Sequence, residues 1–68
     1  MRLIKLNSNT VSDYIGYSIL FKSHGQIMFK QILRTSNSGK TIYIDPSPPY
    51  FYDHLETVRR NIYIILPN

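Results

Sequence analysis

The side chains able to do chemistry are few and scattered. The chain has two histidines, His24 and His54, four carboxylates, Asp13, Asp45, Asp53 and Glu56, and no cysteine. A protein metal site gathers three or four such ligands, and sequences announce it with close spacings such as H-x-H or H-E-x-x-H. Neither spacing occurs. A turn or capping role accounts for each acid. Ser38-Gly39-Lys40-Thr41 echoes the end of a phosphate-binding loop, but the upstream glycine is absent and no helix follows, so the segment reads as a hairpin turn. These residues imply no enzyme, no cofactor, no metal and no small-molecule substrate.

Recognition chemistry is better represented. Lys30 and Arg34 are four apart, so on one strand they point the same way. Tyr43 falls beside them, opposite Ile32, in the register derived below. Leu20, Met28 and Ile32 join the same face, which gives a candidate binding face of Leu20, Lys22, Met28, Lys30, Ile32, Arg34 and Tyr43. Charged groups on an outer strand face need no ligand. Contiguous exposed apolar groups usually meet something, whether another element, a second copy or a different protein. The leading expectation is a small binding module or accessory subunit that associates with a larger protein complex or with itself. The alternative is RNA or DNA binding, with Lys22, Lys30 and Arg34 on phosphates and Tyr43 stacked on a base. Arg59-Arg60 with Lys5 or Arg2 would make a second basic patch, and reads equally as a charged helix end. Pro46 to Pro49 spells P-x-x-P, read here as a stiff connector. Tyr50, Phe51 and Tyr52 are too many rings for one short helix to bury.

The elements that would position this face follow from the turns. Ser23-His24-Gly25 reads as a three-residue hairpin loop closed by positive φ at Gly25. Lys22 then faces Gln26, Phe21 meets Ile27, Ile19 meets Phe29 and Ile15 meets Leu33, an almost wholly apolar face. The other face pairs Leu20 with Met28, Ser18 with Lys30 and Gly16 with Ile32. A four-residue loop Ser36–Gly39 sets Thr35 against Lys40, Leu33 against Ile42 and Gln31 against Ile44. This predicts strands over Tyr14–Lys22, Gln26–Thr35 and Lys40–Asp45, with Gly16 marking a bend. A helix over Gln26–Arg34, suggested by the spacing of Ile27, Met28 and Ile32, competes less well with the flanking turns and the β-branched content.

Arg2–Leu6 reads as a first strand pairing with a last one, Ile62–Leu66, and residues 7–13 as a polar loop. Between them, Phe51, Leu55 and Val58 at i, i+4 and i+7 predict a short helix over Phe51–Arg60, with Asp53 and Glu56 early, Arg59 and Arg60 late and Asn61 closing it. Five strands with a helical turn before the last is the layout of an SH3-like small β-barrel, mainly β with one short helix. The runner-up is an open antiparallel sheet crossed by that helix.

The 68 residues make one domain, with 43% apolar and 18% charged side chains, the composition of a globular chain. A chain this short buries only about 60% of its extended surface, and without cysteine no disulfide reinforces it. The net charge of +4 and pI near 9.6 suit nucleic acid or an anionic protein surface, and suit simple solubility as well. No stretch reaches the ~20 apolar residues of a membrane span, and the first residues lack the apolar run of a signal peptide. The expected location is intracellular, in the cytoplasm or, for an organelle-encoded chain, the organelle interior.

Overall fold

A computed structural model describes residues 2–47, 51–58 and 60–67. The strands are β1 (Arg2–Lys5), β2 (Ser18–Ser23), β3 (Gln26–Thr35), β4 (Thr41–Ser47), β5 (Phe51–Glu56) and β6 (Ile62–Leu66), with a 3₁₀ turn at Val11–Tyr14. They form one antiparallel sheet in the order β1-β6-β2-β3-β4-β5. The sheet is not closed, because β1 and β5 stand at its two ends. The chain is thus a small, mainly β protein, with six strands among the described residues.

The first hairpin differs from the sequence expectation by one residue. His24 and Gly25 both take positive φ, 51° and 77°. Two successive left-handed residues make a two-residue type I′ loop, whose twist matches that of the flanking strands. Histidine is among the few non-glycine residues that tolerate this region. Ser23 therefore pairs with Gln26, Lys22 with Ile27, Phe21 with Met28, Leu20 with Phe29 and Ile19 with Lys30. The expected pairs Phe21–Ile27 and Ile19–Phe29 do not form. Since side chains alternate across a strand, the slip turns the first half of β3 over. Met28, Lys30 and Ile32 point inward, and Ile27 and Phe29 point out.

The second hairpin also closes differently. Ser36–Gly39 forms a turn with a 3.0 Å bond from the Gly39 N–H to the Ser36 carbonyl, and the Ser36 N–H donates to the Thr41 carbonyl at 2.9 Å. Thr35 then pairs with Ile42 and Arg34 with Tyr43, not Thr35 with Lys40. Farther along, Ile32 pairs with Ile44, so one extra residue is absorbed between Ile32 and Arg34. This bulge lets β3 present both Ile32 before it and Thr35 after it inward, opposite Ile44 and Ile42. A bulge also bends its strand and sharpens the twist, so β3 serves two halves of the sheet at an angle, β2 along Gln26–Gln31 and β4 along Ile32–Thr35.

The expected helix over Phe51–Arg60 is absent. Phe51–Glu56 is a strand paired to β4, with Leu55 opposite Ile42 and His54 opposite Tyr43. The burial is two-fold periodic, with Leu55 and Thr57 buried and His54, Glu56 and Val58 exposed. The open edge of β4 outweighs a short local helical pattern, because helices of two turns are marginal on their own. The strand predicted from Tyr14 likewise starts only at Ser18, and Gly16, with φ 93°, marks the bend before it. The helical turn lies at Val11–Tyr14, in the segment read as loop. β1 and β6 pair as expected, Arg2 with Leu66 through Lys5 with Tyr63. Pro48, Pro49, Tyr50 and Arg59 lie outside the described residues, and so do the side chains of Phe51 and Tyr52.

The inward positions form one core of Leu6, Val11, Ile19, Phe21, Ile32, Ile42, Ile44, Leu55, Ile62 and Ile64. Val11 enters it from the 3₁₀ turn, fully buried. The buried Thr57 hydroxyl donates to the Gly39 carbonyl at 2.7 Å, and its N–H donates to the Lys40 carbonyl at 2.8 Å, which fastens the end of β5 to the second hairpin.

Candidate interaction face and cleft

The seven residues expected to share a face are split among three surfaces. Leu20 and Lys22 lie on the outer face of the β1-β6-β2-β3 half. Met28, Lys30 and Ile32 lie on the inner side, where Ile32 is 0% exposed and Met28 packs against the core. Ile32 is therefore a core residue and corrects the expectation that it lines a binding surface. Arg34 and Tyr43 lie on the outer face of the β3-β4-β5 half. The Arg34 guanidinium carbon stands 4.2 Å from the centre of the Tyr43 ring, a cation–π pair, and Tyr43 in turn lies 6.5 Å from the His54 ring.

The outer face of the first half gathers a set of apolar side chains that the mistaken register hid. Across its four strands run Lys5, Tyr63, Leu20 and Phe29 in one row. Leu3, Ile65, Ser18 and Gln31 form the next row, and Lys22 pairs with Ile27 on the other side. Four strands at about 4.8 Å spacing make a row roughly 14 Å wide. Ile27 and Phe29 are each 61% exposed, and Leu3 and Tyr63 are also open to solvent. A shallow hollow of about 300 Å³ lies between Leu20, Lys22, Ile27, Asn61 and Tyr63. Lysines bound the face at two corners, and no carboxylate stands in these rows. The signal was present in the sequence as His24-Gly25, a dipeptide able to make both left-handed positions of a two-residue turn.

On the inner side, the tip of the β2–β3 hairpin and the β4–β5 strands leave a cleft of about 310 Å³ lined by residues that include His24, Lys30, Leu55 and Arg60, while the His54 ring itself stands beside Tyr43 on the outer side. Arg60 thus belongs to this cleft and Lys5 to the outer face. Among the described residues no three of His, Cys, Asp and Glu gather as metal ligands would, and no helix is long and apolar enough to cross a membrane.

Fold and surface together define a small antiparallel β protein with one apolar, lysine-bordered sheet face. No known family model matches the chain, and no curated protein or solved structure matches it significantly.

Proposed function

We infer that this chain is a non-enzymatic binding module or accessory subunit whose partner is another protein, seated on the outer face of β1, β6, β2 and β3. One observation carries the reading. Ile27 and Phe29 are each 61% exposed, side by side with Leu20 and Tyr63, whereas ten other apolar side chains among the described residues are buried in a single core. An apolar centre with a charged rim is the anatomy of a protein interface, and aromatic side chains are its usual anchors. Stacking this face on its copy would bring lysines together around the rim, which favours a different protein over self-association. The strand order β1-β6-β2-β3-β4 around a long, bulged β3 supports an SH3-like small-barrel layout for the open sheet, with β5 added at its edge.

A second reading, single-stranded RNA or DNA on the same face, draws support from Phe29 and Tyr63 beside Lys5 and Lys22 with no acid among them. Bases stack on such rings while lysines meet the phosphates. Capture with the tagged protein from its native lysate, with and without nuclease and at low and high salt, separates the two. Capture with Phe29→Ser runs in parallel. The protein reading expects a discrete set of proteins that survives nuclease and salt and is lost with Phe29→Ser. A set that disappears with nuclease or salt overturns it in favour of nucleic acid.

A further inference from the structure

We propose that the outer face takes a short acidic segment of its partner, which sets one large apolar side chain into the hollow beside Tyr63 and a carboxylate near each of Lys5 and Lys22. The inference rests on the protein reading above and names the chemistry of that partner. The hollow, of about 300 Å³, lies between Leu20, Lys22, Ile27, Asn61 and Tyr63. Its apolar side chains come from three strands, Leu20 from β2, Ile27 from β3 and Tyr63 from β6. Ile27 is 61% and Tyr63 37% exposed, so both stand open to an incoming group. The volume is at the small end of binding pockets, which suits one side chain rather than a whole ligand.

Charge selects the sign of the segment. Lys5 and Lys22 are exposed. Lys5 shares a row with Tyr63, Leu20 and Phe29, and Lys22 stands opposite Ile27, on the far side of the hollow. No carboxylate shares these rows, so the face presents positive charge alone. Two strand spacings and two residues separate the Cα atoms of the lysines, about 12 Å in the plane of the sheet. An extended segment repeats its side chains on one side every second residue, about 6.6 Å apart. The pattern acid–x–apolar–x–acid therefore spans about 13 Å, which sets its three facing side chains over Lys5, the hollow and Lys22. Asn61, exposed at the rim of the hollow, offers a donor and an acceptor to the backbone of the segment.

Size selects a segment over a folded surface. The four strands between the levels of Ser18 and Lys22 cover on the order of 200 Å² in plan. Each of two folded partners contributes ~800 Å² to a standard interface. A second copy would also set lysines against lysines. A single strand of nucleic acid follows a groove lined with basic groups, whereas the row of Leu3, Ile65, Ser18 and Gln31 carries no cationic side chain.

The test is a titration of the ¹⁵N-labelled full chain with capped pentapeptides at low ionic strength. Glu-Ser-Phe-Ser-Glu is expected to shift the amides of Leu20, Lys22, Ile27 and Tyr63 saturably. Gln in place of both Glu should weaken binding about two- to five-fold, the effect of exposed ion pairs. Lys in place of both should weaken it further, through contact of like charges. Ser in place of Phe should cost about ten-fold or more, as one buried ring is withdrawn. Lys5→Glu combined with Lys22→Glu, both at exposed positions, should reverse the order, so that the Lys peptide binds better than the Glu peptide. The inference is overturned by shifts that do not saturate, by equal affinity for the Glu, Gln and Lys peptides, or by an order that the double variant leaves unchanged. Self-association, read as concentration-dependent shifts of these amides in the free chain, overturns it as well, and so does tighter binding of a single-stranded oligonucleotide to them. Lysate partners lost with Phe29→Ser, alongside peptides that show no charge preference, would sink this inference and leave the protein reading standing. Partners lost with nuclease would remove both.

Discussion

Ile32 and Phe29 lie three residues apart on β3 and face opposite ways, the first 0% and the second 61% exposed. Their truncations should therefore behave as opposites. Ile32→Ala removes buried contacts and leaves a cavity, with an expected loss of ~2–5 kcal/mol in urea unfolding. For a domain of this size, such a loss is a large part of the total stability. Phe29→Ser should change stability by no more than about 0.5 kcal/mol while abolishing capture of the partner. A reversed pattern would place Phe29 in the core. Gly39 makes a third case. Its φ is +71°, and a Cβ there would run into the Ser8 carbonyl oxygen. Gly39→Ala should cost more than ~1 kcal/mol in the same assay. The importance of Gly39 to a turn could be read from Ser36-Asn37-Ser38-Gly39. The close approach of Ser8 could not, because it joins segments distant along the chain. Ile19, Phe21, Ile42 and Ile44 were legible as core, since strand alternation alone sorts them once two turns are recognised.

At the scale of elements, β5 separates local pattern from tertiary demand. A helix would place both Leu55 and Val58 on its buried face, whereas the strand buries Leu55 and leaves Val58 61% exposed. Leu55→Ala should therefore cost ~2–4 kcal/mol, and Val58→Ala should stay within ~0.5 kcal/mol; comparable losses at both positions would restore the helix. Hydrogen exchange offers a second check. The Thr57 N–H bonded to the Lys40 carbonyl should be among the slowly exchanging amides, as a bond that joins β5 to the second hairpin opens only with that unit. The helical spacing of Phe51, Leu55 and Val58 was real, but it is two turns long, and backbone pairing along β4 satisfies more groups than so short a helix can. β1, β6 and their pairing were legible because their β-branched content leaves no competing pattern. The bulge at Leu33 was not, because each hairpin taken alone permits a consistent, straight β3. Only a core shared by both halves requires the phase change.

For the whole molecule, the arrangement of charge bears on what the outer face can bind. The net charge is +4, and the outer face of the first half carries its lysines, Lys5 and Lys22, at the rim of an apolar centre. Partner binding on the outer face should accordingly change little between low and high salt. Strong salt dependence, with a log–log slope of about −0.7 per phosphate contacted by a single strand, would mark nucleic acid there. The sequence conveyed the mainly β class of fold and the two hairpins. It did not convey which face is outward, because one residue of turn length decides that for every side chain on the first half of β3.

That register is the point to measure first, by nuclear Overhauser contacts between α-protons across β2 and β3. In an antiparallel pair these protons approach closely only at alternate, non-hydrogen-bonded positions. Strong contacts are expected between Leu20 and Phe29 and between Lys22 and Ile27, the pairs that put Ile27 and Phe29 on the outer face. Contacts between Phe21 and Ile27 or between Ile19 and Phe29 would contradict it, turn Phe29 into the core and remove the proposed docking face.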